Sequence, residues 1–111
     1  MYIFVTILYS NENMHKLMKT VYENGYRGSM LPTQGLRSSL LSSQDEPAPI
    51  FGSLSKIVDS NPPQHPALFI ILKNEEKINV LKKLVNETLD GIKSKGFMYA
   101  FPISFVEGID I

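Results

Sequence analysis

The stretch Gly25 to Ser39, GYRGSMLPTQGLRSS, gathers the side chains in this 111-residue chain best suited to holding a ligand. Ser29 and Thr33 offer hydroxyls to a base or a ribose, and Arg37 carries a planar guanidinium fork that matches a phosphate. Gly35 has no Cβ, so a ligand can approach the backbone N–H groups around it, and such a concavity favours anions. Thr33-Gln34-Gly35 also reads as a plain turn or bulge, with Ser29 an ordinary surface strand residue, and the residue types by themselves favour this plainer reading.

Catalytic chemistry finds little support. No serine lies in a Gly-x-Ser-x-Gly elbow, and Ser10-Asn11-Glu12-Asn13 lacks the arginine that a phosphate loop of the acylphosphatase type would place after the first strand. Glu75 and Glu76 are adjacent at a helix start and point different ways. His15 and His65 have no companion at ligand spacing, so both read as solvated side chains and no metal site is expected. We read the chain as a non-enzyme. Asn86-Glu87-Thr88 matches a glycosylation sequon inside an expected helix, which we take as chance, and Lys77, Lys82 and Lys83 read as a solvated helix face.

Composition narrows the classes further. The length suits one domain, residues 1–111, with a core large enough to need no staple. With no cysteine there is neither a disulfide framework nor a thiolate site, and cytoplasm is the default compartment. Formal charge is zero and the only arginines are Arg27 and Arg37, too few for the phosphate contacts that hold nucleic acid. The apolar start Tyr2 to Tyr9 is too short to span a bilayer, so no membrane insertion is expected.

The elements that position these residues follow from periodicity. Tyr2 to Tyr9 and Ala67 to Leu72 are apolar at both parities, the pattern of central strands covered on both faces. Met14, Leu17, Met18, Val21 and Tyr22 fall at helical spacing after a Ser10-Asn11 cap, predicting a helix over about Glu12 to Asn24 that ends at Gly25. Asn74 caps a second helix, with Ile78, Leu81, Leu84, Val85 and Leu89 facing inward and Gly91 ending it. Tyr26 to Pro32 and Phe97 to Val106 read as edge strands because each holds a proline, and the predicted central strands hold none. Residues 36–66 form a long polar loop with a possible short helix over 52–58, and Ile50, Phe51 and Leu54 make an apolar patch in it suited to binding a partner protein.

The order βαββαβ predicts an α+β, ferredoxin-like fold: a four-stranded antiparallel sheet of order 4-1-3-2 with both helices on one face. Helices on one face leave the other face of two apolar strands bare. We therefore expect a homo-oligomer with sheets facing inward, the alternative being that the long loop folds back over the sheet.

In these terms the chain resembles the P-II superfamily of trimeric signalling proteins. Gly25-Tyr26-Arg27-Gly28-Ser29 followed by Thr33-Gln34-Gly35 is similar to the strand-two pattern of P-II-like proteins and of cyclic-di-AMP receptor relatives. Pro49-Ile50-Phe51-Gly52-Ser53-Leu54, Asn74-Glu75-Glu76-Lys77, Ala100-Phe101-Pro102-Ile103 and Val106-Glu107-Gly108 resemble segments of a short P-II-like subfamily. The resemblance implies a homotrimer that binds a small effector, a nucleotide being the expected one, in a cleft between subunits at the base of the long loop. Ser29, Thr33, Gln34, Gly35 and Arg37 would line it, with Lys93 or Lys95 supplying charge across the interface, and the loop would regulate a target protein. No resident cofactor is implied. The nitrogen-regulatory members carry a glycine-rich nucleotide loop ending in lysine and a modifiable tyrosine; here residues 90–96 read DGIKSKG and residues 36–66 hold no tyrosine. After the turn threonines the cyclic-di-AMP relatives have Gly-Phe-Leu where this chain has Gly35-Leu36-Arg37. The alternatives are a constitutive protein-protein adaptor without ligand and a metal-tolerance-type trimer.

Overall fold

A computed structural model describes residues 1–37, 39–40 and 64–110. The elements run β1 (Tyr2–Leu8), α1 (Asn11–Glu23), β2 (Gly28–Gln34), β3 (Gln64–Leu72), α2 (Glu75–Leu89) and β4 (Gly96–Pro102). All four strands form one antiparallel sheet in the order β2-β3-β1-β4, the expected 4-1-3-2 arrangement, and both helices pack on one face. The short helix expected over 52–58 and the patch Ile50, Phe51 and Leu54 lie outside the described residues.

Local chemistry sets the helix bounds. The Ser10 hydroxyl accepts from the Asn13 N–H and the Asn74 carboxamide oxygen from the Lys77 N–H, each at 3.0 Å, so each helix satisfies one of its orphan donors. Helix α1 runs one residue earlier than periodicity predicts, from Asn11 to Glu23, and Gly25 takes the left-handed position past its end at φ 86°. In α2 the cap residue Asp90 is already left-handed, at φ 57°, and the expected Gly91 follows it at φ 92°. The Asn86 side chain donates to the Lys82 carbonyl and accepts from the Ile92 N–H, so the sequon asparagine is engaged at the helix end.

The core lies between the helices and one face of the sheet. Phe4 and Leu8 of β1, Leu68, Ile70 and Leu72 of β3, Met14, Leu17 and Val21 of α1, and Leu81, Val85 and Leu89 of α2 are all buried there. Fully burying one such side chain contributes roughly 1.5–3 kcal/mol, so this layer is the main source of stability. In the helices these are the period-3.6 positions that the sequence marks as inward, and in the strands, apolar at both parities, they are the alternate residues of one face.

Three expectations are corrected. Thr33 and Gln34 are not a turn: they are the last two residues of β2, in register with His65 and Gln64, because β2 runs two residues beyond Pro32. Pro66 lies inside central β3, opposite Pro32. Two prolines can face each other only at a non-hydrogen-bonded site, so the missing donors point away from the β2–β3 ladder. On the other side of β3 the β1 ladder has already ended at Ile7 and Ala67, so Pro66 breaks no bond. Finally, β4 stops at Pro102 and does not reach Val106.

Candidate functional site

Alternation along the strands divides the candidate residues between the two faces of the sheet. Ser29, Leu31 and Thr33 are in register with Phe69, Ala67 and His65, and they share the face opposite the helices. On that face Val5 is buried between its neighbours in register, Phe69 and Tyr99. At the β4 edge, Phe97, Tyr99 and Phe101 are 46%, 45% and 46% exposed. The strand residues of this face include no charged side chain. Apart from the Tyr99 phenol at the β4 edge, its polar groups, Ser29, Thr33 and His65, lie toward the β2 side.

Thr33, Gly35, His65 and Tyr9 meet at one end of the sheet. The Thr33 hydroxyl donates to the His65 carbonyl across the β2–β3 ladder. The His65 ring lies 5.1 Å from the Tyr9 ring, centre to centre, tilted by 60°. A Cβ on Gly35 would come within 3.0 Å of His65 Cε1, so the space that glycine opens is filled by imidazole. His65 is therefore a half-buried strand residue and not the solvated loop residue its sequence context suggests. Sequence reasoning missed both His65 and Tyr9. The one available signal was that both continue the open-face parity of β3 and β1.

The remaining candidates lie around this corner or away from it. Gln34 turns to the opposite face from Thr33, and Arg37 is exposed in the helical turn that follows Gly35, where the Ser39 N–H bonds the Gly35 carbonyl at 3.0 Å. Lys93 is exposed, and the Lys95 ammonium donates to the Leu89 carbonyl, where it meets the negative end of α2. The two lysines flank β4 and the hydroxyls sit on β2, at opposite edges of the sheet. Three strand spacings, roughly 14 Å, separate those edges, so one chain does not bring the two halves together.

No cluster of three or more His, Asp or Glu placed to hold a metal occurs among the described residues, and no helix among them is long and apolar enough to cross a membrane. No family model matches the chain, and no curated protein matches its sequence.

Proposed function

We propose that the chain is a non-enzymatic, P-II-like signalling protein, a cytoplasmic homotrimer that binds a small effector at its subunit interface and regulates a partner protein through residues 36–66. A nucleotide is the effector that the residue chemistry fits: hydroxyls at Ser29 and Thr33 for a sugar or base, and Arg37, Lys93 and Lys95 for phosphate. The observation that carries this reading is the division of those groups between opposite edges of a sheet whose open face is mostly apolar and carries no charged strand residue. A ring of subunits with open faces turned inward would bury that face and set the β4 edge of one subunit beside the β2 edge of the next. Calorimetry with ATP, ADP, AMP and cyclic dinucleotides tests it. Saturable binding at a stoichiometry of one per subunit is expected, and no heat with any of them would overturn the nucleotide reading.

A constitutive adaptor without ligand is the second reading. It is favoured by the His65 ring over Gly35 and by the engagement of Lys95 with the end of α2, which leave less of the site free than the sequence implies. Ile50, Phe51 and Leu54 would then hold the partner regardless of effector. Capture of a partner whose yield ignores added nucleotide supports the adaptor, and nucleotide-dependent release supports the sensor.

A further inference from the structure

The main chain of His65 is fixed on three counts. Pro66 follows it and restricts it to extended backbone, the β2–β3 register sets it opposite Thr33, and its carbonyl accepts the Thr33 hydroxyl. The ring has two supports. The Tyr9 ring lies 5.1 Å away, and the Cε1 and Nδ1 atoms stand 3.0 and 3.5 Å from the place a Cβ on Gly35 would take. Glycine at position 35 therefore makes room for the imidazole, and a larger residue would press on it.

The polar bonding of this ring is incomplete. The bond to Thr33 runs through the His65 carbonyl, and neither ring nitrogen bonds another residue. Among the described residues no side-chain nitrogen sealed from solvent lacks a partner, so both ring nitrogens of half-buried His65 reach the surface. A neutral imidazole offers one donor and one acceptor there, and the imidazolium offers two donors. The groups facing the ring are Tyr9 from the end of β1, Thr33 from β2 and Gly35 after it, with no carboxylate or ammonium among them. The charges around this end of the sheet are Arg37, exposed two residues beyond Gly35, Lys95, whose ammonium is held by the Leu89 carbonyl, and Glu12, in the first turn of α1 on the other face. Cations outnumber acids, which suits an anion.

We propose that His65 is a ligand contact, its imidazole taking up a proton from solvent as the effector binds and donating to the effector's phosphate. This role rests on the nucleotide reading, and it gives the anion a different partner from the one that residue types imply. The ring stands where the backbone N–H groups around Gly35 were expected to meet the ligand. Hydrogen bonds from a charged donor to phosphate are the strong ones, and Arg37 supplies a second such donor nearby. A ligand that selects the imidazolium binds best in acid, and its affinity falls as pH rises through the imidazole range. One linked proton changes affinity by at most about tenfold per pH unit.

The test is calorimetric titration of ATP and of a cyclic dinucleotide into the chain and into His65→Gln, at about pH 6 and about pH 8. Glutamine keeps a neutral donor and does not titrate. A phosphate monoester itself titrates at about pH 6, so the readout is the difference between the two chains, and the phosphodiesters of the cyclic dinucleotide check it. Between the two pH values the chain should lose about tenfold more affinity than the variant. Circular dichroism checks that His65→Gln is folded. A second measurement needs no variant: the chain has two histidines, and exposed His15 on α1 is the internal reference. In NMR spectra, saturating nucleotide should move the ring resonances of His65 and leave those of His15. Equal pH dependence in the chain and its folded variant, or His65 resonances that stay in place in the saturated complex, would overturn the proposal and leave the nucleotide reading standing. No heat with either probe at either pH would remove both.

Discussion

The phenol of Tyr2 donates to the Glu75 carboxylate at 3.0 Å, joining the first residue of β1 to the first residue of α2. That bond exists only while the phenol keeps its proton, and it raises the Tyr2 pKa above its ordinary 10.0, with smaller contributions from burial and from the Glu75 charge. A group whose folded pKa is raised contributes stability that is complete below the unfolded value and lost as pH rises through the folded one. The bond should therefore help at neutral pH and fail in strong alkali. In spectrophotometric titration, the difference between the chain and its Tyr2→Phe variant should rise above pH 10.0, and Glu75→Gln should move it back down.

The two helix caps should each be felt on their own. Ser10→Ala and Asn74→Ala each remove a side-chain acceptor from a helical N–H, and each should cost about 1 kcal/mol in denaturant unfolding. Because the caps lie on separate helices, the double variant should lose close to the sum.

Asp90 holds the left-handed conformation at the end of α2 with a negative charge at the negative end of the helix dipole. Glycine removes both penalties. Asp90→Gly should stabilise the fold by roughly 0.5–1 kcal/mol, read as a rise in the unfolding midpoint.

Two glycines are needed for lack of room. A Cβ at Gly96 would lie 2.1 Å from the Ile7 carbonyl oxygen, and one at Gly28 would lie 2.4 Å from the Phe69 carbonyl oxygen. Backbone atoms inside a sheet cannot yield as a side chain can, so Gly96→Ala and Gly28→Ala should each destabilise by on the order of 2 kcal/mol or more. At Gly25 a Cβ would meet nothing within 4 Å, and only the positive φ of 86° opposes it. Gly25→Ala should cost about 1 kcal/mol, measurably less than either.

At the proposed effector site, Arg37→Ala and Ser29→Ala each remove an exposed group that takes part in no described bond of the fold. Each should weaken nucleotide binding roughly tenfold, about 1.4 kcal/mol, with no change in unfolding midpoint. Thr33→Val differs because its hydroxyl already bonds the His65 carbonyl. It should lower stability as well as affinity, by about 1 kcal/mol.

The fold was legible where the sequence speaks in long periodic runs. The apolar strands around Phe4 and Ile70, the helical spacing of Met14, Leu17 and Val21, and the caps at Ser10 and Asn74 all report local rules that hold whatever lies across from them. They suffice to order four strands and to set both helices on one face. The prolines misled where their effect depends on a neighbour. Pro66 reads as the end of a loop, but a missing N–H matters only if something waits to accept it, and the structure alone shows that Leu8 has left the β1–β3 ladder by that point.

The site was legible in its residue types and not in its geometry. Sequence named Thr33 and Gly35 for a ligand, but nothing local says that His65, distant along the chain, bonds the one through its carbonyl and covers the other with its ring. Nor does it say that Lys95 spends its charge on Leu89, or that the hydroxyls and the lysines end on opposite edges of the sheet. What the sequence determined by itself was the set of elements and the face each helix turns to the core, since hydrophobic period is a local property. Only the tertiary structure decided which strand residues face each other and what fills the space beside Gly35, because strand phase and close approach depend on which residues from far along the chain arrive as neighbours.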